Sequence, residues 1–170
     1  MAINRDFANK DREASIDIRT RIAAKPNDCF ANACRAIRTL PELANATYVE
    51  GMIVVFQTGG TFEHGWIFHD DKIIDPTLPE YSIWYLPSIE LKGSTAIREF
   101  IESNEGFTEP PFYKAPQFKA RFSKCRKKSV EFSEKQIHEV LKDKAISRQV
   151  MNEVWEEMWR SFPQNVDDES

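Results

Sequence analysis

The spacing of apolar residues changes from helical to alternating and back along this chain, and each change marks an element. Over 11–24 the apolar minority is Ile16, Ile18 and Ile22 in otherwise polar, helix-compatible text, and Lys25-Pro26 predicts the end of that helix. Such a segment is expected to serve as a lid or a brace. Residues 29–40 carry Phe30, Ala33, Cys34, Ile37 and Leu40 at i, i+3, i+4 spacing. That spacing predicts a helix with one buried stripe, closed by Pro41, and assigns Cys34 to the core.

The period then falls to two. Residues 48–56 read as a strand on β-branched and aromatic content, and Thr58-Gly59-Gly60 turns into a second strand over 61–68. Asp70-Asp71 turns again into a third strand over 72–75. A three-stranded antiparallel meander needs a helix on one face to be stable, and the helix beginning at Cys29 is the candidate. The expected class is α+β: N-terminal helices packed on a small antiparallel sheet, with C-terminal helices added.

Residues 76–116 read as irregular text rich in proline and aromatics (Tyr81, Trp84, Tyr85, Phe112, Tyr113), broken by one short helix over 94–103. Loops of this kind shape binding sites. Residues 118–132 mix aromatics with Lys119, Arg121, Lys124, Arg126, Lys127 and Lys128, and Ser133-x-x-Gln136 reads as a capping box opening helical text to about 162. Ser147 is a point at which that text divides. Its residues Val150, Val154, Trp155, Met158, Trp159 and Phe162 exceed what one buried stripe needs, so an oligomer or partner surface through the C-terminal helices is expected. A single domain over 1–165 and a disordered acidic tail over 166–170 complete the organisation.

Composition narrows the function classes. A formal net charge of -4 argues against nucleic acid and anionic membranes as partners. No run approaches the roughly 18 apolar residues of a membrane span, and the polar first ten residues lack a signal peptide's apolar stretch. The cysteines Cys29, Cys34 and Cys125 have no C-x-x-C spacing and suit a reducing, cytoplasmic compartment. No cofactor is expected. A metal site built from Cys29, His64, His69 and Asp75 is the weaker reading, because no close ligand pair with zinc-like spacing exists.

The candidate chemistry is a thiol, an imidazole and a carboxylate. Pro26, Asn27 and Asp28 announce a helix and leave Cys29 in its first turn, where orphan amides and the helix dipole favour a thiolate. In a hairpin centred on Asp70-Asp71, Asp75 lies opposite Trp66 and diagonal to His64 on one face. Diagonal neighbours stand roughly 7 to 8 Å apart at the backbone, within reach of a His to Asp hydrogen bond. A turn centred on Gly59 puts Val54 opposite His64, so Met52, Val54 and Phe56 are expected on the face of Phe62, His64, Trp66 and Phe68. The Cys29 helix is expected on that face, with Trp66 shielding the site from water.

These stretches, Cys29-Phe30-Ala31-Asn32-Ala33, Tyr48-Val49-Glu50-Gly51, His64-Gly65-Trp66 and Asp75-Pro76-Thr77, resemble the papain-like and transglutaminase-like cysteine enzymes. More closely they resemble a group of bacterial and phage proteins with C-F/Y-x-N-A, Y-V-E-G, H-x-W and D-P-T motifs. The resemblance covers about 50 residues, 29–77, and implies Cys29 as nucleophile, His64 as general base and acid, and Asp75 as orienting carboxylate. Papain-like peptidases also carry a glutamine shortly before the cysteine, and residues 21–28 contain none. The oxyanion donor is then the Cys29 backbone amide or the side chain of Asn27 or Asn32. Glu50 either contacts substrate or pairs with a lysine.

The expected function is thiol-dependent acyl transfer through a thioester on a peptide or amide-containing substrate, proteins included, with water as acceptor in a peptidase, amidase or deamidase. With an amine as acceptor the enzyme is a transamidase. The alternative of another class is a non-catalytic binding or inhibitor protein on the same scaffold.

Overall fold

The computed structural model describes residues 10–56 and 59–144. Helix α1 (Arg12–Arg21) starts where the Asp11 carboxylate accepts the Ala14 N–H at 2.9 Å, and Ala23 takes a φ of 47° just beyond its end. Helix α2 (Cys29–Thr39) buries the stripe that its spacing predicts, Ala33, Cys34 and Ile37, together with Ala36. Strands β1 (Thr47–Val55), β2 (Thr61–His69) and β3 (Lys72–Ile74) form the expected antiparallel meander. The text between β3 and α3 (Gly93–Ser103) is not loop throughout, because Ile83–Lys92 forms a fourth strand, β4, paired to β1. The sheet order is β3-β2-β1-β4.

Pro87 explains why β4 reads as loop. A proline withholds a ladder donor and is tolerated on edge strands or at bulges. Pro87 has both settings: β4 is an edge, and the register shifts between Glu50 and Gly51 where Pro87 pairs. Helix α4 (Pro116–Lys144) likewise begins earlier than the capping-box reading expects. Ser133 lies inside it, buried, and donates its hydroxyl to the Gly59 carbonyl instead of capping a terminus. Ser147, the apolar residues from Val150 to Phe162 and the acidic tail lie outside the described residues.

The two hairpin registers behave differently. Ile67 pairs with Ile74 and Phe68 with Ile73, as the two-residue turn dictates; Asp70 and Asp71 both have positive φ, 46° and 59°, as a tight hairpin turn requires. In the β1–β2 hairpin His64 faces Gly51, not Val54. A three-residue displacement reverses parity. Val49, Gly51 and Ile53 therefore share the His64 face, while Met52 and Val54 point to the other, and Phe56 lies beyond the strand.

One face of the sheet, with Tyr48, Ile67 and Ile74, packs against Ala33, Cys34 and Ile37 of α2, Ile97 and Phe100 of α3, and Phe112. Phe122 and Cys125 of α4 cover Met52 and Ile89 on the same side. Each fully buried Ile here contributes about 1.5 to 3 kcal/mol. The opposite face, with Val49, Ile53, Trp66, Ile73 and Tyr85, is covered by Leu78 and Tyr81. Topology dictates that cover: β3 and β4 occupy opposite edges, so the chain joining them must cross the sheet. Helix α2 thus covers the face opposite to the one expected. No helix among the described residues is long and apolar enough to cross a membrane.

Candidate active site

Asp75 follows β3 directly, and both of its carboxylate oxygens are hydrogen-bonded. Its Oδ2 accepts from His64 Nε2 at 2.9 Å and from the Tyr85 hydroxyl at 2.8 Å. Its Oδ1 accepts the Thr77 and Leu78 amides, each at 3.0 Å, in the short turn that Pro76 begins. The Asp75 amide donates to the Ser15 hydroxyl at 2.9 Å, which ties the site to α1. Helix α1 is therefore a brace.

Lys10 approaches from the other side. Its ammonium stands 4.0 Å from Asp75 Oδ2, donates to the carbonyls of Leu78 and Tyr81, and is 1 % exposed. Burial pulls Lys10 below its ordinary value, while Asp75 opposes the shift. Burial also works against a charged Asp75, but His64, Lys10 and the Leu78 amide hold its carboxyl well below the usual carboxylate range. A buried charge so satisfied persists, whereas an unpaired one would neutralise.

Because Nε2 of His64 faces Asp75, the other ring nitrogen is left to the Cys29 thiol, which hydrogen-bonds the ring. Cys29 is the first residue of α2 and meets His64 along the part of β2 that β3 does not reach. Burial works against a protonated His64, yet Asp75 and Cys29 together outweigh it and push the imidazole up to about 10. Cys29, His64 and Asp75 are brought together, all buried, as their order along the chain predicts.

The neighbouring motif residues have steric roles. A Cβ on Gly65 would stand 2.8 Å from the Phe30 Cα, so the bare backbone lets the first turn of α2 rest on β2. A Cβ on Gly51 would stand 2.2 Å from the Leu86 carbonyl oxygen and 2.8 Å from the Trp66 ring. That gap admits Trp66, which stacks on His64 at 6.4 Å between centroids and packs on Tyr85 at 5.0 Å. Trp66 is fully buried and shields one side of the imidazole.

The Asn32 amide is committed to bonds outside the Cys29–His64–Asp75 centre. Its Nδ2 donates to the Lys25 carbonyl at 2.7 Å and the Thr77 hydroxyl at 3.0 Å, and its Oδ1 accepts the Lys25 amide at 3.0 Å. It pins the loop before Cys29 to the turn after Asp75. Asn32→Ala is therefore expected to cost about 2 kcal/mol in urea denaturation; a drop in reactivity without loss of stability would contradict this role. Asn27 is exposed with a φ of 58° and is not brought into the hydrogen-bonded centre.

Among the described residues, Glu50 meets neither the centre nor a lysine. It points to the other face, accepts from the Tyr48 hydroxyl at 2.7 Å, and takes the Phe112 and Tyr113 amides at 2.6 Å each, anchoring the 3-10 turn Phe112–Lys114. Burial pushes its carboxyl up against the pull of those donors. His69 pairs with Asp70 at 3.4 Å, away from the other three residues of the weaker metal reading. Sequence reasoning missed Lys10, Ser15 and Tyr85. A tyrosine in apparent loop text carries no signal, and Lys10 is distinguished only by its final position.

The described residues thus define a mixed helix-and-sheet protein whose four-stranded antiparallel sheet carries a buried Cys, His and Asp in hydrogen-bonded succession. Compared with models of protein families, with curated proteins and with solved structures, the chain matches none.

Proposed function

We propose that this protein is a thiol-dependent acyl-transfer enzyme on a papain-like or transglutaminase-like core, hydrolysing an amide or ester. The observation that carries the reading is the buried line from the Cys29 thiol through His64 to an Asp75 whose charge is fixed by Lys10, Tyr85 and two amides.

In this scheme the Cys29 proton passes to His64, and the sulfur adds to the substrate carbonyl carbon as the C=O π pair moves to oxygen. Main-chain amides in the first turn of α2 stabilise that oxyanion, since Asp28 makes no side-chain cap hydrogen bond to them. Collapse breaks the bond to the leaving amine or alcohol, which takes the proton from His64 and leaves a thioester. A water then gives a proton to His64 and adds to the thioester carbonyl; collapse of that adduct breaks the C–S bond, releases the acid, and returns the proton from His64 to the Cys29 sulfur. An amine in place of that water gives transamidation. The three free cysteines suit a reducing compartment.

Iodoacetamide alkylation read by mass spectrometry tests the reading, with the other two cysteines as internal controls. Burial pushes Cys34 up to about 11 and raises Cys125 as well. At pH about 6.5, Cys29 is expected to react at least about tenfold faster than either, and His64→Ala to abolish the difference. A Cys29 as inert as Cys34, or indifferent to the loss of His64, removes the enzyme and leaves a binding protein on this scaffold.

A further inference from the structure

We propose that a basic pocket on the far side of the Phe30–Tyr113 contact from Cys29 receives an acidic side chain of a peptide substrate, a specificity that rests on the acyl-transfer reading. The pocket is an open depression between the 3-10 turn and α4, with a volume of about 390 Å³, lined by Tyr113, Lys114, Lys119, Phe122, Ser123 and Arg126. Its volume falls in the range of roughly 300 to 1,000 Å³ typical of ligand sites. The lining carries three cations and no carboxylate. Glu63 accepts from both Arg126 and the Tyr113 hydroxyl at one side of the pocket, whereas Lys114 and Lys119 have no carboxylate partner among the described residues.

Tyr113 and Phe122 stack at 4.0 Å between centroids and form an apolar wall against which a side-chain stem can lie. One aromatic layer separates the pocket from the thiol: Tyr113, which lines the pocket, packs on Phe30 at 5.7 Å between centroids, and Phe30 follows Cys29. On this proposal a peptide with its scissile carbonyl at Cys29 passes over the Phe30 and Tyr113 rings and sends a neighbouring side chain towards Lys114 and Lys119.

The surrounding charge favours the same occupant. Residues 116–130 carry Lys119, Arg121, Lys124, Arg126, Lys127 and Lys128 and no Asp or Glu, on a chain whose net charge is -4. A local basic field on an acidic protein steers a short anion to one place. A long polyanion would meet the repelling remainder, so an acidic peptide fits better than a nucleic acid.

Fluorescence anisotropy on the full chain carrying Cys29→Ala reads binding without turnover. Labelled hexapeptides of matched length, one bearing two glutamates, one neutral and one bearing two lysines, are compared with a labelled single-stranded oligonucleotide. The acidic peptide is expected to bind at least about tenfold tighter than the neutral one, weakening with salt. Lys114→Glu with Lys119→Glu is expected to reverse the order, so that the basic peptide binds best, which a misfolded variant would not do. Equal binding of the three peptides, an unchanged order in the charge-reversed protein, or tighter binding of the oligonucleotide overturns the pocket. Acidic-peptide binding with an inert Cys29 keeps the pocket and removes the enzyme; a His64-dependent Cys29 without peptide preference does the opposite.

Discussion

Stability is expected to decline as the pH rises from about 6.5 towards 10, because His64 gains its proton partners only in the folded state. A group whose folded value is raised contributes fully below its unfolded value, and the contribution disappears as pH passes through the folded one. Asp75 works in the opposite sense. Its depressed folded value makes its contribution complete above about 3.8 and lost as the pH falls below that. The two windows overlap between about 4 and 6.5, where the pair is at full strength.

They describe one interaction and are not added. Removing a partner leaves the other charge buried, so Asp75→Ala is expected to cost about 3 to 5 kcal/mol, since Lys10, Tyr85 and His64 then lose their common acceptor. Asp75→Asn keeps the shape and isolates the charge. Urea midpoints measured from pH 5 to about 9 would check both points. The wild type should lose stability towards the alkaline end and His64→Ala should not. A wild-type profile flat over that interval would show that the imidazole is not held protonated.

The second large effect belongs to the two glycines. Gly51→Ala is expected to cost about 3 kcal/mol or more, because its Cβ meets a main-chain oxygen of β4 that cannot rotate away and the ring of a fully buried Trp66. Gly65→Ala meets the main chain of Phe30 instead. The neighbour there is the first turn of a helix, which can lift from the sheet, so the expected stability loss is smaller, about 1 to 3 kcal/mol. The functional loss is larger, since lifting that turn separates Cys29 from His64. A folded Gly65→Ala protein, checked by near-UV circular dichroism, should have lost the His64-dependent alkylation of Cys29. Retention of the wild-type rate would show that Phe30 does not set the thiol's position.

How much of this was legible along the chain depended on how local each determinant was. The β2–β3 register could be read because Asp70-Asp71 closes a two-residue turn, and closing so short a loop leaves one register; His64 and Asp75 followed. The β1–β2 register could not be read from Gly59, because the connection is longer and its ends settle where Gly51 admits Trp66 and β4 pairs with β1. Strand β4 was hidden by Pro87, whose bulge and edge position exist only once β1 is beside it. Ser133 resembled a cap because a cap and a buried helix serine differ only in what surrounds them.

Periodicity and turn chemistry determined by themselves the first three helices, the meander and the pairing of His64 with Asp75. These depend on interactions within a few residues or across one tight turn. The face that α2 covers, the fourth strand, the commitment of Asn32 and Glu50 to bracing, and the use of Lys10, Ser15 and Tyr85 to hold Asp75 were decided only by the tertiary structure. Each joins residues remote in sequence, and burial converts an ordinary polar side chain into the required partner of a charge that has lost its water.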